Sequence, residues 1–502
     1  MASDVLFVAI DVGTTGARAS AVDLQGRVCH ETRHPYPTST PRPGWAEQDP
    51  RHWRDAALAA LAELTASDRV RASAIRGIGL TGQCPTVAPF AADREPVGPG
   101  LLYRDNRATA EAEEMRRLLG DEALHRRTGH VPTAFHVGPK MMWLRRHQPD
   151  TFAAADCFMQ PRDVVLHALT GVTATDETHA NSTVLFDLRE RTWSVDLLDS
   201  FGIDAGAFPD VLPPWAEVAR LSASAAERVG LDAACPVVVG AADSQCAAFG
   251  SGVTGPGPIS EMAGASSCLN SVIAEPSDDL RITHYSHVVP DSYSTELGVN
   301  VSGGALTWAV QAFGLADFGE LEARAARAYA ILGTGGGGDP RAAAPLFLPY
   351  LGDGERDDPA LRAAFVGLSD RHGRDELAYS VLEGLAFGIA ETVLVLAAAG
   401  SPLDELRVAG GGGRLATLGQ LKADVLASPV RNLDQDSAPI GVALLAATGA
   451  GYRDEAAVAL AANLSRAGTF APAHAAGEAI RERYAWFEEV RASEAVRLRT
   501  CG

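Results

Sequence analysis

The sequence predicts an α/β protein with central parallel strands. Its recurring unit is a β-branched apolar run, a Gly-rich turn and a helical pattern, found at 5–18, 76–86, 236–250 and 404–426. Short buried strands that alternate with helices indicate α/β architecture with parallel pairing. Amphipathic helical patterns lie between these units, for example at 53–67, 106–119 and 376–399.

The first unit is a hairpin, and its shape occurs twice. Residues 7–26 read as a strand, a Gly/Thr turn, a second strand and a Leu-Gln-Gly turn, and residues 259–273 repeat the hairpin. Two halves that each open with such a hairpin predict two domains of similar fold, 1–248 and 249–502. The Gly/Pro cluster at 250–257 is the natural seam between them.

Composition limits the classes of partner. The 502 residues include 43 Lys+Arg and 63 Asp+Glu, a formal net charge of −20. Nucleic-acid backbones and anionic membrane surfaces both favour a basic face, so neither is an expected partner. The apolar run at 5–10 has strand length and no basic segment before it, which is not typical of a signal peptide. Only two lysines occur, Lys140 and Lys422.

Cysteine and histidine patterns give little support for a metal site. The seven cysteines are scattered and form no CxxC pair, so neither a disulfide framework nor a zinc site is expected, and a cytoplasmic location fits. His284 and His287 have ligand-like spacing, but no cluster of Cys or carboxylates accompanies them. A structural role for this pair is therefore the favoured interpretation.

The segment Asp11-Val-Gly-Thr-Thr-Gly is the first candidate for chemistry. Gly13 permits a tight turn, and the amides and hydroxyls around Thr14 and Thr15 can surround an anion. Asp11 could hold Mg²⁺ through water. The alternative is a plain hairpin turn in which Asp11 caps its own backbone. The sequence contains no GxxxxGK[ST] motif, which excludes a P-loop, and the hairpin logic of the turn argues against a Rossmann dinucleotide site.

Two further strand ends are candidates. Asp243 ends an apolar strand and begins a helix, where it is either an N-cap or a carboxylate that takes a proton from a substrate hydroxyl. The glycines at 410–413 follow a strand and precede a helix, which allows a ligand to approach the backbone closely and favours phosphate. In this order, the three features predict a nucleotide cleft between two domains.

The chain resembles the FGGY family of carbohydrate kinases, in the actin-like ATPase superfamily, from Phe7 to about Tyr452. The most specific segment is 363–368 followed by 376–383, which fits the family's second signature at every constrained position. Other similar segments are 44–50, 103–107, 348–351 with 354–356, and 139–144 with Val137 where a small hydroxyl or Pro is usual. Lys140 lies on the last of these, and we expect it to be structural or at the edge of the active cleft.

The resemblance implies two ribonuclease H-like domains of the actin and hexokinase type, with a nucleotide and sugar cleft between them. It implies ATP-dependent phosphorylation of a terminal hydroxyl of a small sugar or polyol, with Asp243 as the catalytic base and Asp11 holding Mg²⁺, through water. The residues matched to ATP binding are Gly13, Thr14, Thr15, Arg18, Gly264, Ser266, Gly303, Gly304, Gly411 and Gly412. Those matched to sugar binding are Gln83, Cys84, Pro85, Asp105 and Gln245.

Departures from the family pattern affect the substrate. Ala265 replaces the usual Thr of the second phosphate loop, and Leu415 stands where relatives often have a polar residue toward adenine or ribose. Cys84-Pro85-Thr86 stands where xylulose kinases usually show Met-His-Gly. A xylulose-like pentulose is the leading substrate, and glycerol, erythritol, gluconate, ribulose or a signalling polyol stay open.

Two other functional classes use the same fold. A nucleotide-driven chaperone or filament protein is one, but the chain has no separate client domain and carries the full second signature. A sensor that binds sugar without transferring phosphate is the other, with Ala265 and Leu415 as its support. A homodimer is compatible with the resemblance.

Overall fold

The computed structural model describes residues 5–332, 340–352, 355, 358 and 360–501. The chain forms two compact units. Unit 1 contains Met1–Thr254, Ala274–Ser294 and Ser437–Ser465, and unit 2 contains Gly255–Ile273, Thr295–Asp436 and Arg466–Gly502. The segments are interleaved along the sequence, and the functional division at 248/249 stays a prediction. Gly354 and Arg356 of the 354–356 motif lie outside the described residues.

The helices of the described residues include the three predicted from amphipathic patterns, which are confirmed as α1, α2 and α14. In chain order they are α1 (Pro50–Ala66), α2 (Thr109–Leu119), α3 (Asp121–Thr128), α4 (Val137–His147), α5 (Pro149–Ala154), α6 (Pro161–Thr170), α7 (Glu177–Asn181), α8 (Val195–Phe201), α9 (Ala223–Val229), α10 (Asp243–Gly250), α11 (Gly303–Ala312), α12 (Phe318–Leu332), α13 (Pro340–Ala343), α14 (Arg374–Ala398), α15 (Ala416–Leu426), α16 (Ser437–Gly449), α17 (Arg453–Ser465) and α18 (His474–Cys501).

The strands of the described residues include those predicted in each of the four recurring units. In chain order they are β1 (Leu6–Val12), β2 (Gly16–Asp23), β3 (Val28–Pro35), β4 (Glu47–Gln48), β5 (Ile75–Gly82), β6 (Ala88–Phe90), β7 (Gly100–Leu101), β8 (Cys157–Met159), β9 (Ala174–Asp176), β10 (Phe186–Asp187), β11 (Thr192–Trp193), β12 (Asp210–Leu212), β13 (Glu217–Arg220), β14 (Pro236–Val238), β15 (Gly257–Ala263), β16 (Ser267–Ile273), β17 (Thr283–Ser286), β18 (Tyr293–Val299), β19 (Leu346–Leu348), β20 (Ala364–Val366), β21 (Leu403–Gly410), β22 (Val430–Asn432) and β23 (Gly468–Phe470).

The main sheet of unit 1 has the strand order β13-β14-β5-β1-β2-β3. Strands β1, β5 and β14 are parallel, and β2 pairs antiparallel with both β1 and β3. The first five residues of β1, Leu6–Ile10, are all buried, as expected for a central strand covered on both faces. The hairpin predicted from the first sequence unit is therefore confirmed as β1 and β2.

The sheet of unit 2 repeats this arrangement. It contains, in order, β18-β16-β15-β21-β22-β23. The β15–β16 hairpin is antiparallel, β15, β21 and β22 are parallel, and β23 is antiparallel to β22. Strand β13 has the matching edge position in unit 1, where it is antiparallel to β14. Each unit thus has a hairpin, two further parallel strands and an antiparallel edge, which confirms the predicted duplication.

Close helix packing in unit 1 depends on glycine. Helix α16 crosses α10, and a Cβ at Gly441 would lie 1.9 Å from the backbone oxygen of Cys246. A Cβ at Gly250 would lie 2.0 Å from the oxygen of Ser437. Helix α10 begins at Asp243, so this crossing also supports a candidate functional residue.

Helix α14 is the one helix in the described part of the chain that is long and apolar enough to span a membrane. Its most apolar 18-residue window is 67% buried within the protein, and its Tyr379, Leu382 and Phe387 belong to the apolar core of unit 2. These are the properties of a core helix.

Five buried histidines fasten the segment 282–287 to the rest of unit 1: His125, His130, His136, His284 and His287. The His125 Nε2 lies 2.8 Å from the Ile282 oxygen, and the backbone N–H of His284 donates to Gly129 at 2.9 Å. In the described residues no group of three or more His, Cys, Asp or Glu could hold a metal ion. The bond between His284 and Gly129 favours the structural interpretation of His284 and His287, which stays a prediction.

Three of these histidines, His130, His284 and His287, are packed as neutral rings. The backbone N–H of Thr133 donates to Nδ1 of His136, whose Nε2 faces Nδ1 of His130 at 3.3 Å. Burial lowers the pKa of His284 to about 4 and that of His287 to about 3. Burial, with the neighbouring His136, also holds the pKa of His130 well below its usual value. A proton on His130, His284 or His287 would be a buried charge.

We therefore predict that unit 1 loses stability as the pH falls below about 6.5, the ordinary pKa of histidine. The unfolded chain binds protons there that the folded histidines do not, so each such histidine lowers the free energy of unfolding by about 1.4 kcal/mol per pH unit. Urea unfolding between pH 7.5 and 5.5 measures the slope. His287→Gln should reduce it, whereas substitution of the exposed His52 by Gln should not. An unchanged slope in H287Q would contradict the prediction.

Candidate active site

Three sequence-predicted residues lie at one edge of the sheet of unit 1. Asp11 is the second-last residue of β1, Gln83 follows β5 directly, and Asp243 begins α10 five residues after β14. Because β1, β5 and β14 are parallel neighbours, their carboxyl ends meet at the same edge. This edge is where open α/β sheets bind ligands.

The carbonyl groups of the turn after β1, residues 13–15, point into the protein. The Tyr36 hydroxyl donates to the Gly13 oxygen, Gln48 Nε2 donates to the Thr14 oxygen at 2.7 Å, and the Tyr36 N–H donates to the Thr15 oxygen at 3.3 Å. Within the described residues, the N–H groups of Thr14 and Thr15 donate to no protein acceptor. Anchored carbonyls with available amides have the geometry of an anion cradle, and phosphate binding by this loop stays a prediction.

Asp11 and Arg18 form an ion pair beside this cradle. Their side chains approach to 3.1 Å, with 24% of the Asp11 side chain and 22% of the Arg18 side chain exposed. The register of the β1–β2 hairpin places the two residues directly opposite each other. A guanidinium and a water-accessible carboxylate therefore flank the loop.

The N-terminus of α10 is fixed by a network that sequence reasoning missed. The Thr178 hydroxyl accepts from the Ala242 N–H at 2.7 Å and donates to Asp176, and the Thr81 hydroxyl donates to the Ala241 oxygen at 2.7 Å. These bonds hold the two residues before Asp243. Neither Thr178 nor Asp176 lies in a recognisable motif, so only the packing identifies them.

Asp176 is the anchor of that network. It is fully buried, and it accepts hydrogen bonds from Arg162 at 2.8 Å and from His179 at 2.6 Å. Burial alone would raise the pKa of this carboxyl, but His179 and Arg162 outweigh burial and hold it below its usual value. An ionised Asp176 therefore orients the Thr178 hydroxyl toward the chain before Asp243.

The predicted sugar residues Gln245, Cys84 and Pro85 all belong to unit 1. Gln245 is fully buried, and its Oε1 accepts from the Ser294 hydroxyl at 2.5 Å. Its Nε2 has no hydrogen-bond partner among the described residues. The Cys84 thiol is half-buried and lies 2.9 Å from the Ser182 hydroxyl, and Pro85 follows it through a cis peptide bond. Gln245 thus has an available donor.

Asp105 differs from the other sugar candidates because its carboxylate is already engaged. It is fully buried and accepts from the backbone N–H of Ala46 at 2.6 Å. Its two oxygens also accept hydrogen bonds from Nε and Nη2 of Arg107, at 2.8 and 2.7 Å. The geometry favours a structural function for Asp105, and its contact with sugar stays a prediction.

Lys140 is fully buried in α4 and donates to the backbone oxygen of Phe135 at 2.5 Å. Burial lowers its pKa to about 7, partly offset by the charge of Asp105. The bond closes the turn that precedes α4. This contact fits the structural role expected for the motif lysine.

In unit 2, two predicted nucleotide loops are joined. The N–H groups of Ser302 and Gly304 both donate to the Ala265 oxygen at 3.0 Å, and the Gly303 N–H donates to the Gly264 oxygen at 3.0 Å. A Cβ at Gly303 would lie 2.4 Å from the Gly264 oxygen, so this contact requires glycine. The N–H groups of Gly303 and Gly304 are therefore used to support the loop 264–266.

The third loop of unit 2 begins where β21 ends. Gly410 has a φ of 98°, and its register partner is Ala263, the last residue of β15. The turn through Gly411 and Gly412 thus starts beside the loop 264–266. Leu415 is 7% exposed and packs in the apolar core of unit 2. The replacement of the polar residue of relatives by Leu415 is therefore a change within the apolar core.

Lys422, the other lysine, forms a buried ion pair below these loops. Its Nζ lies 2.6 Å from Glu261 Oε2, and the Ser267 hydroxyl donates to the other Glu261 oxygen at 3.0 Å. Glu261 lies in β15 and Ser267 begins β16, so the pair connects α15 to the hairpin that carries the loop 264–266. The rarity of lysine was the only sequence signal for this contact.

We predict that Lys422→Met destabilises unit 2 by about 3–5 kcal/mol, because it leaves the Glu261 carboxylate buried without its partner. The double variant K422M/E261L should recover most of that loss. Arg116→Met breaks an exposed pair with Asp121 and should cost less than about 1 kcal/mol. Chemical denaturation of the four proteins measures the free energies. Equal losses in K422M and the double variant would contradict the prediction.

Comparison with known proteins identifies the class. The N-terminal domain model of the FGGY family of carbohydrate kinases matches residues 6–250, and the C-terminal domain model matches residues 261–450. A xylulose kinase of Bacillus subtilis is 30% identical over 456 residues, covering 89% of this chain and 88% of the relative. A glycerol kinase of Gloeobacter violaceus is 30% identical over 469 residues, covering 91% and 90%.

A solved structure gives the same result. The xylulose kinase from Rhodospirillum rubrum superposes with a TM-score of 0.88 at 30% identity, covering 98% of this chain and 99% of that one. The family match and the fold together define a phosphotransferase with a two-domain kinase fold of the actin and hexokinase type. The chain belongs to the FGGY family of carbohydrate kinases. It is therefore an ATP-dependent kinase that acts on an alcohol group of a small carbohydrate.

Proposed function

We propose that this kinase phosphorylates a terminal hydroxyl of a xylulose-like pentulose, with Asp243 as the catalytic base. The observation that carries the proposal is the common edge of Asp243, Gln83 and the amides of residues 14 and 15 at three neighbouring strand ends. The xylulose kinases among the relatives support the choice of a pentulose.

Asp243 would orient the sugar hydroxyl and accept its proton late in the transfer. A sugar hydroxyl is a poor nucleophile at neutral pH, and the transferred phosphoryl group passes through a loose transition state. The enzyme therefore acts mainly by positioning and by charge stabilisation. Asp243 is partly exposed, and the bonds to Ala241 and Ala242 fix the chain just before it. That rigidity suits a base that must stay aligned.

The nucleotide would be held chiefly by backbone amides. The amides of Thr14 and Thr15, with Gly13 and Arg18, would take the terminal phosphate. The loop with Gly264 and Ser266, supported by Gly303 and Gly304, and the open turn at Gly411 and Gly412 would take the rest of ATP. Neutral amides carry no desolvated charge before ATP arrives, which suits a site that must also release ADP.

Mg²⁺ fits the residues beside the first loop. Mg²⁺ keeps several waters and takes one or two carboxylates together with substrate phosphates. Asp11 is one carboxylate, partly open to water, at the end of β1. Bound there through water, Mg²⁺ would offset the negative charge of the triphosphate.

A different polyol is the second candidate substrate. The glycerol kinase relative matches over as much of the chain as the xylulose kinases do, and Cys84 and Pro85 occupy the position of the usual xylulose motif. Glycerol, erythritol, ribulose and gluconate belong to this alternative. A sensor without turnover and a homodimer in solution are separate proposals that the same purified protein can test.

Asp243→Asn is expected to lower kcat by about 10²–10⁴ while sugar affinity changes little, because the amide keeps the shape and loses the base. Turnover is measured by coupled ADP release, and sugar affinity by calorimetry. Asp150→Asn, an exposed aspartate in the first turn of α5, is the matched control and should retain parental turnover. Near-normal turnover in D243N would remove Asp243 from the mechanism.

A panel of C3 to C7 polyols and ketoses is expected to give its highest kcat/KM with a pentulose. ADP release must depend on the added sugar, which separates a kinase from a chaperone-type ATPase. A higher kcat/KM for glycerol or gluconate would favour the second candidate. Tight sugar binding without ADP release across the panel would favour the sensor.

A further inference from the structure

A chain of buried hydrogen bonds links Trp53 to the predicted sugar residue Gln83. The Trp53 indole Nε1 lies 2.7 Å from Gln48 Oε1, and Gln83 Nε2 lies 2.8 Å from the same oxygen. Trp53 is fully buried, and Gln48 and Gln83 are each 2% exposed. The motif 44–50, which contains Gln48, was recognised in the sequence without a function.

The indole fixes which way each amide points. An indole N–H can only donate, so the Gln48 atom that faces it must be the carbonyl oxygen. Gln48 Nε2 then donates to the Thr14 oxygen at 2.7 Å and to the Thr38 hydroxyl at 2.8 Å. With Oε1 of Gln48 facing Gln83, the Gln83 atom at that contact must be Nε2, the donor.

The consequence is an acceptor without a partner. Gln83 Oε1 is buried and receives no hydrogen bond from the described residues. Gln83 Nε2 also lies 3.5 Å from the Gly13 oxygen, so this amide lies beside the first phosphate loop. A buried carbonyl oxygen without a donor is unfavourable, and a ligand hydroxyl would relieve that cost.

Local structure holds the tryptophan in this geometry. Gln48 lies in β4, which pairs with Gly100 in β7, and Trp53 lies in the second turn of α1. A Cβ at Gly100 would lie 2.3 Å from the Trp53 ring, so a side chain at that position would displace the indole. The glycine therefore allows the ring to sit against the strand that pairs with Gln48.

We propose that Trp53 and Gln48 are positioning residues that present Gln83 Oε1 to a hydroxyl donor of the sugar substrate. The proposal rests on the proposed sugar kinase function and adds a specificity element to it. The site would favour a substrate with a hydroxyl at this point and disfavour one with only an acceptor there. The same bond to the Thr14 oxygen links sugar positioning to the phosphate loop.

The test is a double-mutant cycle on the KM for D-xylulose. Trp53→Phe keeps the ring and removes the donor, so it should raise this KM about 3- to 10-fold, the effect of one hydrogen bond, with kcat changed less than about twofold. Gln83→Met removes the acceptor and should raise KM by about the same factor or more. In the Q83M background, W53F should raise the KM for D-xylulose by less than about a further twofold, because Trp53 and Gln48 then have no acceptor to orient.

Trp193→Phe is the matched control. Trp193 lies in β11, and its indole N–H donates to the Pro209 oxygen at 3.0 Å. The control therefore makes the same chemical change away from the candidate site. It should leave KM and kcat unchanged. If W53F does not fold, Gln48→Met replaces it, with the same expected rise in the KM for D-xylulose and the same absence of an additive effect on that KM in Q83M. Because Gln48 also holds the Thr14 oxygen, the KM for ATP is measured in Q48M as well, so that an effect on the phosphate loop is separated from one on the sugar.

The outcomes separate the positioning role of Trp53 and Gln48 from the kinase function. If the parent protein acts on D-xylulose but the KM effects of W53F and Q83M multiply, the positioning role is wrong and the proposed function stands. A parent protein without turnover on any sugar would overturn the proposed function before the variants are compared. A loss of thermal stability in W53F with unchanged KM would assign Trp53 to packing alone.

Discussion

The anchoring of loop carbonyls is the interaction on which the candidate site depends. In unit 1 the oxygens of residues 13–15 are held by Tyr36 and Gln48, and in unit 2 those of Gly264 and Ala265 are held by the start of α11. A peptide group whose oxygen is fixed has its N–H direction fixed as well. Both hairpins can therefore offer neutral donors in a defined direction to a polyanion.

This arrangement suits a protein with a net charge of −20. An acidic surface repels phosphates at long range, but a few oriented amides act at contact distance, where screening and net charge matter little. The two lysines illustrate the point. Lys140 and Lys422 are both buried and bonded within the protein, so neither has the position of a phosphate-binding lysine.

Much of the fold could be predicted because it depends on short-range patterns. Apolar strand runs with Gly-rich turns identified β1, β5, β14 and β21, and the repeated hairpin indicated the duplication. The hydrogen-bond partners could not be predicted, since they come from distant segments. Asp105 is predicted to contact sugar, and no sequence pattern indicated that its carboxylate is bonded to Ala46 and Arg107. Leu415 stands where relatives often have a polar residue, and only the structure shows that it lies in the apolar core of unit 2. Asp176 and Thr178 gave no sequence signal at all.

The burial of both lysines has a consequence for the chemistry of the whole surface. Lys140 is fully buried and Lys422 is 2% exposed, so the side-chain cations on the described surface are the guanidinium groups of arginine. Reagents that acylate amines cannot reach either side chain while its unit is folded. Each lysine therefore reports on a different unit, Lys140 on unit 1 and Lys422 on unit 2. Acylation followed by peptide mass mapping would follow the opening of each unit separately in the unaltered protein.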